Sequence, residues 1–344
     1  IMAKIDDVAK LARVSKGTVS NVFGRKRPVS KEVRERVMRA AKQLNYTPNH
    51  IARSLTTKKT MTIGLKIPHS KNLSFSGFHI NLMNGVVAEA SRHNYRVLID
   101  TLTQEDVEVP FLTTDPIDGV IILDPKKEDE RIALLHQLNT PYVVIGKPHN
   151  PGISDIPYVN NNNEEMAYEV CQYLIQKGHK RILFLNAPDS VTVSHDRRIG
   201  FFRALEENEI PYARSDNRFK ENMLDDPSTY GYETTLSLFG NEADCHYTAV
   251  IADTDKVALG VFRALKQLNK VVPDDVSVIA FSDDLFLSPE VEPPLTTVDL
   301  FAGKLGSEAV KLLFSKMENK DDDVNQTVIV PAKLNERESC AVKK

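Results

Sequence analysis

The stretch IDDVAKLARVSKGTVSNVFG, residues 5–24, contains two short helical patterns separated by a tight break. Apolar side chains recur every three or four residues along the first of them, which predicts an amphipathic helix over Ile5–Ala12. The next two residues interrupt the pattern, and Ser15 is placed to cap a second helix that ends at Gly24. Two short helices joined by so tight a turn form the helix-turn-helix pattern.

A third helical segment follows this pair and closes a small core. Ser30 is a capping residue, and the apolar positions after it predict a helix over Ser30–Asn45. Val19, Val22 and Phe23 of the second helix are expected to pack in the same core. Residues 1–47 are therefore expected to form a three-helix helix-turn-helix domain.

Charge is divided unevenly along the chain. Residues 1–59 contain fifteen lysines and arginines against four aspartates and glutamates, a net charge of +11, whereas the rest of the chain carries −14. A basic N-terminal part on an acidic remainder is typical of a protein that binds a polyanion such as nucleic acid. A solvated charged face is the alternative that charge alone leaves open.

In a helix-turn-helix module the second helix enters the major groove of DNA, and its first residues reach the base edges. The candidate base-reading residues are Lys16, Gly17, Thr18 and Asn21. Lysine donates to guanine and asparagine pairs with adenine, whereas glycine permits close approach of the backbone. The residues expected to contact phosphates are Ser15, Ser20 and Arg25. The alternative is a small helical bundle that binds another protein.

Composition argues against several other classes of protein. The sequence has no apolar run of roughly 18 residues and no apolar N-terminal segment, so neither a membrane span nor a secretory signal is expected. Its cysteines, Cys171, Cys245 and Cys340, form no CxxC pair, which predicts a reducing, cytoplasmic location and no zinc site. Because the sequence also has no nucleotide-binding or metal-ligating motif, no enzyme activity, catalytic residue, metal or cofactor is expected.

Residues 61–344 alternate short apolar runs with helical patterns. The predicted strands are Thr62–Pro68, Arg96–Asp100, Gly119–Leu123, Tyr142–Ile145, Arg181–Leu185, Ala249–Ala252 and Val276–Phe281. The predicted helices are Asn81–Asn94, Glu128–Leu138, Glu164–Lys177, Ile199–Glu207, Ser228–Phe239 and Asp255–Leu268. This alternation predicts doubly wound parallel sheets, with enough strands for two lobes and a cleft at the carboxyl ends of the strands.

The head, residues 1–60, resembles the DNA-binding head of the lactose-repressor family of bacterial transcription regulators. The matching pieces are DVAKLARVSKGTVS (7–20), LNYTPN (44–49) and ARSL (52–55). The resemblance implies a hinge helix and linker over residues 48–60, which folds when a dimer meets its operator. Leu55 would then wedge into the minor groove, where bending of the DNA offsets the unstacking; an ordinary core leucine is the alternative.

Two details of the head follow from the same resemblance. Further candidate DNA contacts in the hinge segment are Asn49, Arg53 and Thr56. The family often has arginine where this chain has Asn21, so the half-site sequence is expected to differ from the family's usual one, because arginine prefers guanine.

The body, residues 61–344, continues the resemblance in IGLKIP (63–68), DGVIIL (118–123), RRIGFFRAL (197–205) and PPLTTVDL (293–300). It implies a two-lobed α/β body like that of periplasmic sugar-binding proteins, with lobe one at 61–160 and 294–326 and lobe two at 162–291 and 327–344. The chain is expected to pass between the lobes near Asn160–Asn163, near Glu292–Leu295 and near Gln326.

The resemblance also implies the residues of an effector site between the lobes. Arg197, in the pattern RxxGF, matches the arginine that grips effector hydroxyls or a carboxylate, with its neighbour Arg198 as the alternative. Asp283, or Asp284 beside it, is the carboxylate expected to accept sugar hydroxyls. The other residues expected to line the cleft are Phe78, His79, Asn161 and Thr254. A plain loop histidine is the alternative for His79, and a contact with the hinge rather than the ligand is the alternative for Asn161.

By the same resemblance, the position at which some members of the family stack an aromatic ring on the ligand falls near Asp226, so that stack is expected to be absent. The mixed polar side chains then favour a mono- or disaccharide, plain or phosphorylated, over a purine. The expected protein is an allosteric, homodimeric repressor of carbohydrate genes that a sugar releases from a palindromic operator. The alternative is a regulator of many operons whose corepressor is a phosphorylated carrier protein. A periplasmic sugar-binding protein would share the body but not the basic head.

Overall fold

The computed structural model describes residues 3–24, 28–46, 59–68, 75–102, 116–221, 226–240, 246–281, 287–318 and 326–343. The chain divides into two compact units, Ile1–Thr60 and Met61–Lys344, which coincide with the head and the body. Within the described ranges, no helix combines the length and apolarity that crossing a bilayer requires.

The described part of the head consists of α1 (Ile5–Ala12), α2 (Lys16–Gly24) and α3 (Lys31–Gln43). The backbone of Arg13 adopts the left-handed conformation, with φ of 52°, and this ends α1. The Thr18 N–H donates to Ser15 Oγ at 3.1 Å and the Val33 N–H donates to Ser30 Oγ at 3.4 Å, so both serines cap helices. The core consists of Val8, Ala9, Ala12, Val19, Val22, Val37, Ala40 and Ala41. The predicted three-helix head is confirmed.

The body contains two sheets. In chain order its described strands are β1 (Thr62–Pro68), β2 (Arg96–Leu102), β3 (Gly119–Leu123), β4 (Tyr142–Ile145), β5 (Tyr158–Asn160), β6 (Ile182–Asn186), β7 (Asn217–Phe219), β8 (Ala249–Ala252), β9 (Ser277–Phe281), β10 (Thr296–Asp299), β11 (Thr327–Ile329) and β12 (Lys333–Asn335). The first sheet has the order β11-β5-β4-β3-β1-β2, and the second has the order β12-β10-β9-β8-β6-β7.

All neighbouring strands are parallel except β10 and β12. In the first sheet β1 lies between β2 and β3, and in the second sheet β6 lies between β7 and β8. The direction of winding therefore reverses beside β1 and beside β6. This is the doubly wound arrangement, in which ligands bind outside the carboxyl ends of the strands at the reversal point. The predicted two-lobed α/β body is confirmed.

Helices cover the sheets and let the central strands be buried on both faces, as parallel sheets require. They are α4 (Gly77–Arg92), α5 (Glu130–Gln137), α6 (Asn163–Gln176), α7 (Thr192–Glu207), α8 (Pro227–Phe239), α9 (Asp255–Gln267), α10 (Leu287–Glu290) and α11 (Ala302–Glu318). Strands β3, β4, β6, β8 and β9 are buried along their whole length.

Several elements lie where the sequence predicted no regular structure: β5, β7, β10, β11, β12, α10 and α11. The missed strands have only three or four residues, too few to show a period of two, and they form because a neighbouring strand offers hydrogen bonds. Helix α11 does carry apolar side chains at helical spacing, from Leu305 through Leu313, so its signal is in the sequence.

Lobe one comprises the first sheet with α4, α5 and α11, and lobe two comprises the second sheet with α6 to α10. The first passage between lobes lies between β5 and α6, within the expected Asn160–Asn163. The second was wrongly predicted near Glu292–Leu295. Strand β10 pairs with β9 and completes the second sheet before the chain leaves, so the passage is at Leu300 and Phe301.

The third passage was wrongly predicted near Gln326. Strand β11 pairs with β5 in lobe one, and β12 pairs with β10 in lobe two, so the chain crosses after Ile329 and before Lys333. Both errors have one cause: pairing with a distant strand, which sequence pattern does not show, decides to which lobe a short strand belongs.

The three passages are joined by one side chain. Asn161 is buried, and its Nδ2 donates to the Leu300 carbonyl at 3.1 Å and to the Val330 carbonyl at 2.8 Å. Each carbonyl belongs to a different passage. A buried amide that satisfies two backbone carbonyls fixes their relative positions, because an unpaired buried polar group is costly. Asn161 therefore positions the hinge between the lobes.

The helix pair α4–α11 depends on a close backbone approach at Gly85. A Cβ there would lie 1.9 Å from the Gly303 carbonyl oxygen, whereas a Cβ on Gly303 would meet only the Asn81 carbonyl oxygen, at 3.4 Å. We expect Gly85→Ala to lower the free energy of unfolding of the body by about 1–3 kcal/mol, as overpacking does. Gly303→Ala, on the partner helix, is the matched control and is expected to unfold like the original chain in denaturant titrations. Equal stability of both variants would contradict the close approach.

Candidate functional site

A cavity of about 310 Å³ lies between the two lobes, at the carboxyl ends of their strands. The chain after β3 forms its lobe-one side and the chain after β8 forms its lobe-two side. These strands stand at equivalent reversal points, beside β1 and β6. The first turns of α4, α6, α7, α8 and α9 also reach the cavity wall. It is therefore the ligand position that this topology predicts.

Arg197, on α7, is held firmly in the lobe-two wall and is only 5% exposed. Its Nη1 donates to Asp253 Oδ1 at 2.7 Å, and its Nε donates to Asn163 Oδ1 at 3.1 Å. Its guanidinium lies 4.2 Å from the centre of the Phe281 ring. Burial lowers the pKa of Arg197, while the carboxylates of Asp253 and Asp124 oppose that shift.

The pair of Arg197 and Asp253 has groups left for a ligand. Within the described residues, neither Arg197 Nη2 nor Asp253 Oδ2 makes a hydrogen bond, and both side chains line the cavity. Burial raises the pKa of Asp253, against the opposing charges of Arg197 and Lys220. A fixed N–H donor stands beside a fixed carboxylate acceptor, which is the arrangement that binds neighbouring hydroxyl groups.

The lobe-one wall carries Phe78 and His79 on the first turn of α4. His79 Nδ1 lies 2.7 Å from Ser76 Oγ. Burial, assisted by the charge of Lys256, lowers the pKa of His79 to about 4, so the ring is neutral at pH 7. Phe78 packs edge-on to His79 and contacts the apolar cores of both lobes. It is thus an apolar contact across the cleft.

Thr254 and Asn161 line the cavity, but both have structural bonds. Thr254 Oγ1 accepts from the Val257 N–H at 3.3 Å and caps α9. Both bonds of the Asn161 amide nitrogen are committed to the hinge. Arg198, the alternative to Arg197, does not line the cavity; it lies over the Phe219 ring and near His195. Asp283, with Ser282 and Asp284, lies outside the described residues.

The lobes also contact each other through their backbones. The Thr192 N–H donates to the Pro125 carbonyl at 3.1 Å, and the Lys127 N–H donates to the Ser190 carbonyl at 3.3 Å. Lys126 and Val191 form an antiparallel bridge between the same two loops. These bonds join the loop after β3 in lobe one to the loop after β6 in lobe two, so the lobes touch beside the cavity in this arrangement.

Sequence reasoning missed several side chains that line the cavity: Asp124, Asn163, Asn186, Lys220, Tyr230 and Asp253. Asp124 and Asp253 directly follow buried strands, so the rule that ligands bind at strand ends could have found them. Tyr230 stands one turn beyond Asp226, which caps α8 through the Thr229 N–H at 2.8 Å. An aromatic ring is therefore present close to the position where none was expected.

The predicted base-reading residues of the head lie on the first two turns of α2. Ser15, Lys16, Gly17 and Ser20 are exposed, and Thr18 and Asn21 are half-buried. Ser15 and Thr18 are occupied locally, with their hydroxyl oxygens 2.9 Å apart, and Lys16 Nζ lies 2.5 Å from Asp6 Oδ1. Of the other expected DNA contacts, Arg25, Asn49, Arg53, Leu55 and Thr56 lie outside the described residues.

Gly17 is not required by packing within the head. Among the described residues, a Cβ there would meet only Ser15 Oγ, at an ordinary 3.6 Å. The described part of the head therefore has room for a methyl group at this exposed position in the first turn of α2.

Comparison with known proteins agrees with this geometry. Residues 4–49 match the model for bacterial regulatory proteins of the lacI family, and residues 171–340 match the periplasmic binding protein-like domain. The ribose operon repressor of Halalkalibacterium halodurans is 33% identical over 98% of this chain and 97% of its own. Catabolite control protein A of Priestia megaterium is 31% identical over 97% of this chain and 98% of its own.

Solved structures show the same relationship. The lac repressor dimer bound to operator and an anti-inducer is 26% identical, with a TM-score of 0.83, and the match covers 99% of this chain and 100% of that one. The agreement extends from the helix-turn-helix head through both lobes. The chain belongs to the lacI family of bacterial transcription regulators, which bind DNA and carry an effector-binding body and are not enzymes.

Proposed function

We propose that this regulator is a repressor of carbohydrate-use genes that a sugar, bound between the lobes, releases from a palindromic operator. The observation that carries the proposal is the pair of Arg197 and Asp253, which lines the cavity and whose Nη2 and Oδ2 atoms make no hydrogen bond within the described residues. Such a pair recognises a diol, because one hydroxyl accepts from the guanidinium while its neighbour donates to the carboxylate.

A purine is the competing effector, since relatives include the purine repressor PurR of Mannheimia succiniciproducens, 32% identical over 93% of this chain. Purines need stacking surfaces, and one face of Phe281 is occupied by the Arg197 guanidinium. Phe78 and Tyr230 can serve either ligand class. Two similar proteins support a sugar: the ribose operon repressor, and the transcriptional regulator CelR, whose solved complex with cellobiose is 26% identical with a TM-score of 0.72.

The proposed mechanism has two lobe arrangements. The body forms a homodimer, so that two heads read the two halves of a palindrome. In one arrangement the hinge helices of the two subunits, within residues 48–60 of each chain, meet, and Leu55 wedges into the operator. A sugar that contacts both lobes better in the other arrangement shifts the equilibrium between the two arrangements. The shift can be no larger than the difference in the sugar's affinity for them.

The homodimer is tested by light scattering. A tetramer at micromolar concentration would contradict it.

The proposal is tested by calorimetry against a panel of sugars and nucleobases, followed by operator binding with each ligand. Micromolar binding by a sugar, with loss of operator affinity, is the expected result. Micromolar binding by a nucleobase and by no sugar would overturn the proposed effector. Operator binding that responds only to a serine-phosphorylated carrier protein would identify the corepressor type of regulator instead.

The role of Arg197 is tested with Arg197→Lys, which keeps the positive charge but loses the donor fork that reaches Asp253, Asn163 and the cavity together. We expect effector affinity to fall by roughly ten- to a hundredfold, as for a lost charged hydrogen bond, while operator affinity without effector stays unchanged. Arg198→Lys, outside the cavity, is the control. Equal loss of effector affinity in both variants would refute the assignment.

The role of Gly17 is tested with Gly17→Ala. The added methyl has room in the free head, so its stability should stay the same or rise by up to about 1 kcal/mol. Affinity for a selected operator should fall about tenfold, the effect of disturbing one base position, while affinity for unrelated duplex should not change. Ser20→Ala, at an expected phosphate contact, should weaken binding to both duplexes alike. A Gly17→Ala variant with unchanged operator affinity would place Gly17 outside the contact.

A further inference from the structure

Asp124 directly follows β3 in lobe one and lines the cavity. Its counterpart in lobe two is Asp253, which follows β8 at the equivalent strand of the second sheet. Unlike Asp253, whose Oδ1 accepts from Arg197, the Asp124 carboxylate accepts no hydrogen bond within the described residues; only its backbone carbonyl does, from Arg131. It lies deep between the lobes and keeps accessible surface towards the cavity.

Within the described residues, no hydrogen bond compensates for the burial of this charge. Burial raises the pKa of Asp124 to about 6, and Asp253 adds to the shift, while Arg131, Arg197 and Lys220 oppose it. Arg131 is itself paired with Asp129, at 2.6 Å. A buried carboxylate without hydrogen bonds is destabilised, and donors supplied by a ligand stabilise its ionised form. A ligand that donates a hydrogen bond would therefore stabilise the Asp124 carboxylate.

The ionised side chains that line the cavity leave no excess positive charge for an anion. Among the described residues they are four aspartates against three basic residues: Asp124, Asp226, Asp253 and Asp255, with Arg197, Lys220 and Lys256. An anionic group added to this set would stand uncompensated beside two carboxylates in a poorly solvated cavity, which is strongly unfavourable. A hydroxyl group adds a donor for Asp124 without adding charge.

Resting on the proposed sugar effector, we propose that Asp124 is the specificity-determining acceptor on lobe one, and that it selects uncharged polyhydroxy effectors over phosphorylated or carboxylated ones. The effector donates a hydroxyl to Asp124 in lobe one and binds the Arg197–Asp253 pair in lobe two. A ligand that bridges both walls in this way gains affinity only in one lobe arrangement. Asp124 thereby couples the choice of effector to lobe movement.

This assignment has a consequence for pH. The free carboxylate has a pKa of about 6, and a donated hydroxyl favours its ionised form, so bound Asp124 must have a lower pKa. The effector therefore binds the ionised form better, and its affinity falls as pH decreases through 6. Between pH 7 and pH 5 the expected loss is roughly tenfold. His79, with a pKa of about 4, remains neutral over that range.

Calorimetry on the full chain tests the proposal with matched pairs of ligands: glucose and glucose 6-phosphate, ribose and ribose 5-phosphate, and cellobiose and its 6-phosphate. The variants are Asp124→Asn and the control Asp155→Asn, an exposed lobe-one aspartate outside the cavity. Both aspartates have a left-handed backbone conformation, with φ of 50° at Asp124 and 57° at Asp155. Asparagine tolerates that conformation, so both variants should fold. Asp124→Glu, which keeps the carboxylate, is the second test variant.

The original chain should bind a neutral sugar at least roughly tenfold more tightly than its phosphate ester, and more weakly at pH 5 than at pH 7. Asp124→Asn should lose about tenfold in affinity for the neutral sugar, lose the preference over the ester and lose most of the pH dependence. Asp155→Asn should behave like the original chain, and Asp124→Glu should keep the pH dependence.

Tighter binding of the phosphate ester by the original chain would overturn the inference and leave the proposed sugar effector in place. An unchanged affinity, preference and pH profile in Asp124→Asn would overturn it as well. Binding of nucleobases alone, or of no member of the panel, would overturn the proposed function and this inference together.

Discussion

The side-chain amide of Asn161 donates to the carbonyls of Leu300 and Val330 and so ties together the three segments that join the lobes. Each lobe is a sheet wound in both directions, rigid because its central strands are buried on both faces. Two rigid bodies on one fixed hinge have few ways to move. In the proposed mechanism, a ligand between them acts on the angle of the hinge rather than on the shape of either lobe.

The cleft shows how a polar site is built at low dielectric. Arg197 is buried, and it is held in place by Asp253, by Asn163 and by the face of Phe281. That network is rigid and belongs to lobe two. Lobe one presents the neutral His79, the apolar Phe78 and Asp124, whose carboxylate accepts no hydrogen bond within the described residues. The walls are thus unequal, and only a ligand that satisfies both of them can favour one lobe arrangement over another.

Sequence pattern predicted what depends on neighbours in the chain. The head follows from helical spacing, two serine caps and a tight turn, and the long buried strands follow from apolar runs. The passages at Leu300 and after Ile329 were misplaced because pairing with distant strands decides them. Arg197 was found through its motif and lies in the cavity wall. Asp124 and Asp253 each directly follow a buried strand, so the sequence carries a signal for them, but only the fold shows that both line one cavity.

The central claim is that a sequence-specific dimer is controlled from the cleft. Selection of bound sequences from random duplex DNA, with and without a mixture of neutral sugars, tests it most directly. Salt must be held constant, because the phosphate contribution to affinity varies steeply with it. The account predicts an enriched palindrome with a flexible central step, whose enrichment disappears when the sugars are added. An enriched palindrome that no sugar affects, or no enriched sequence at all, would contradict it.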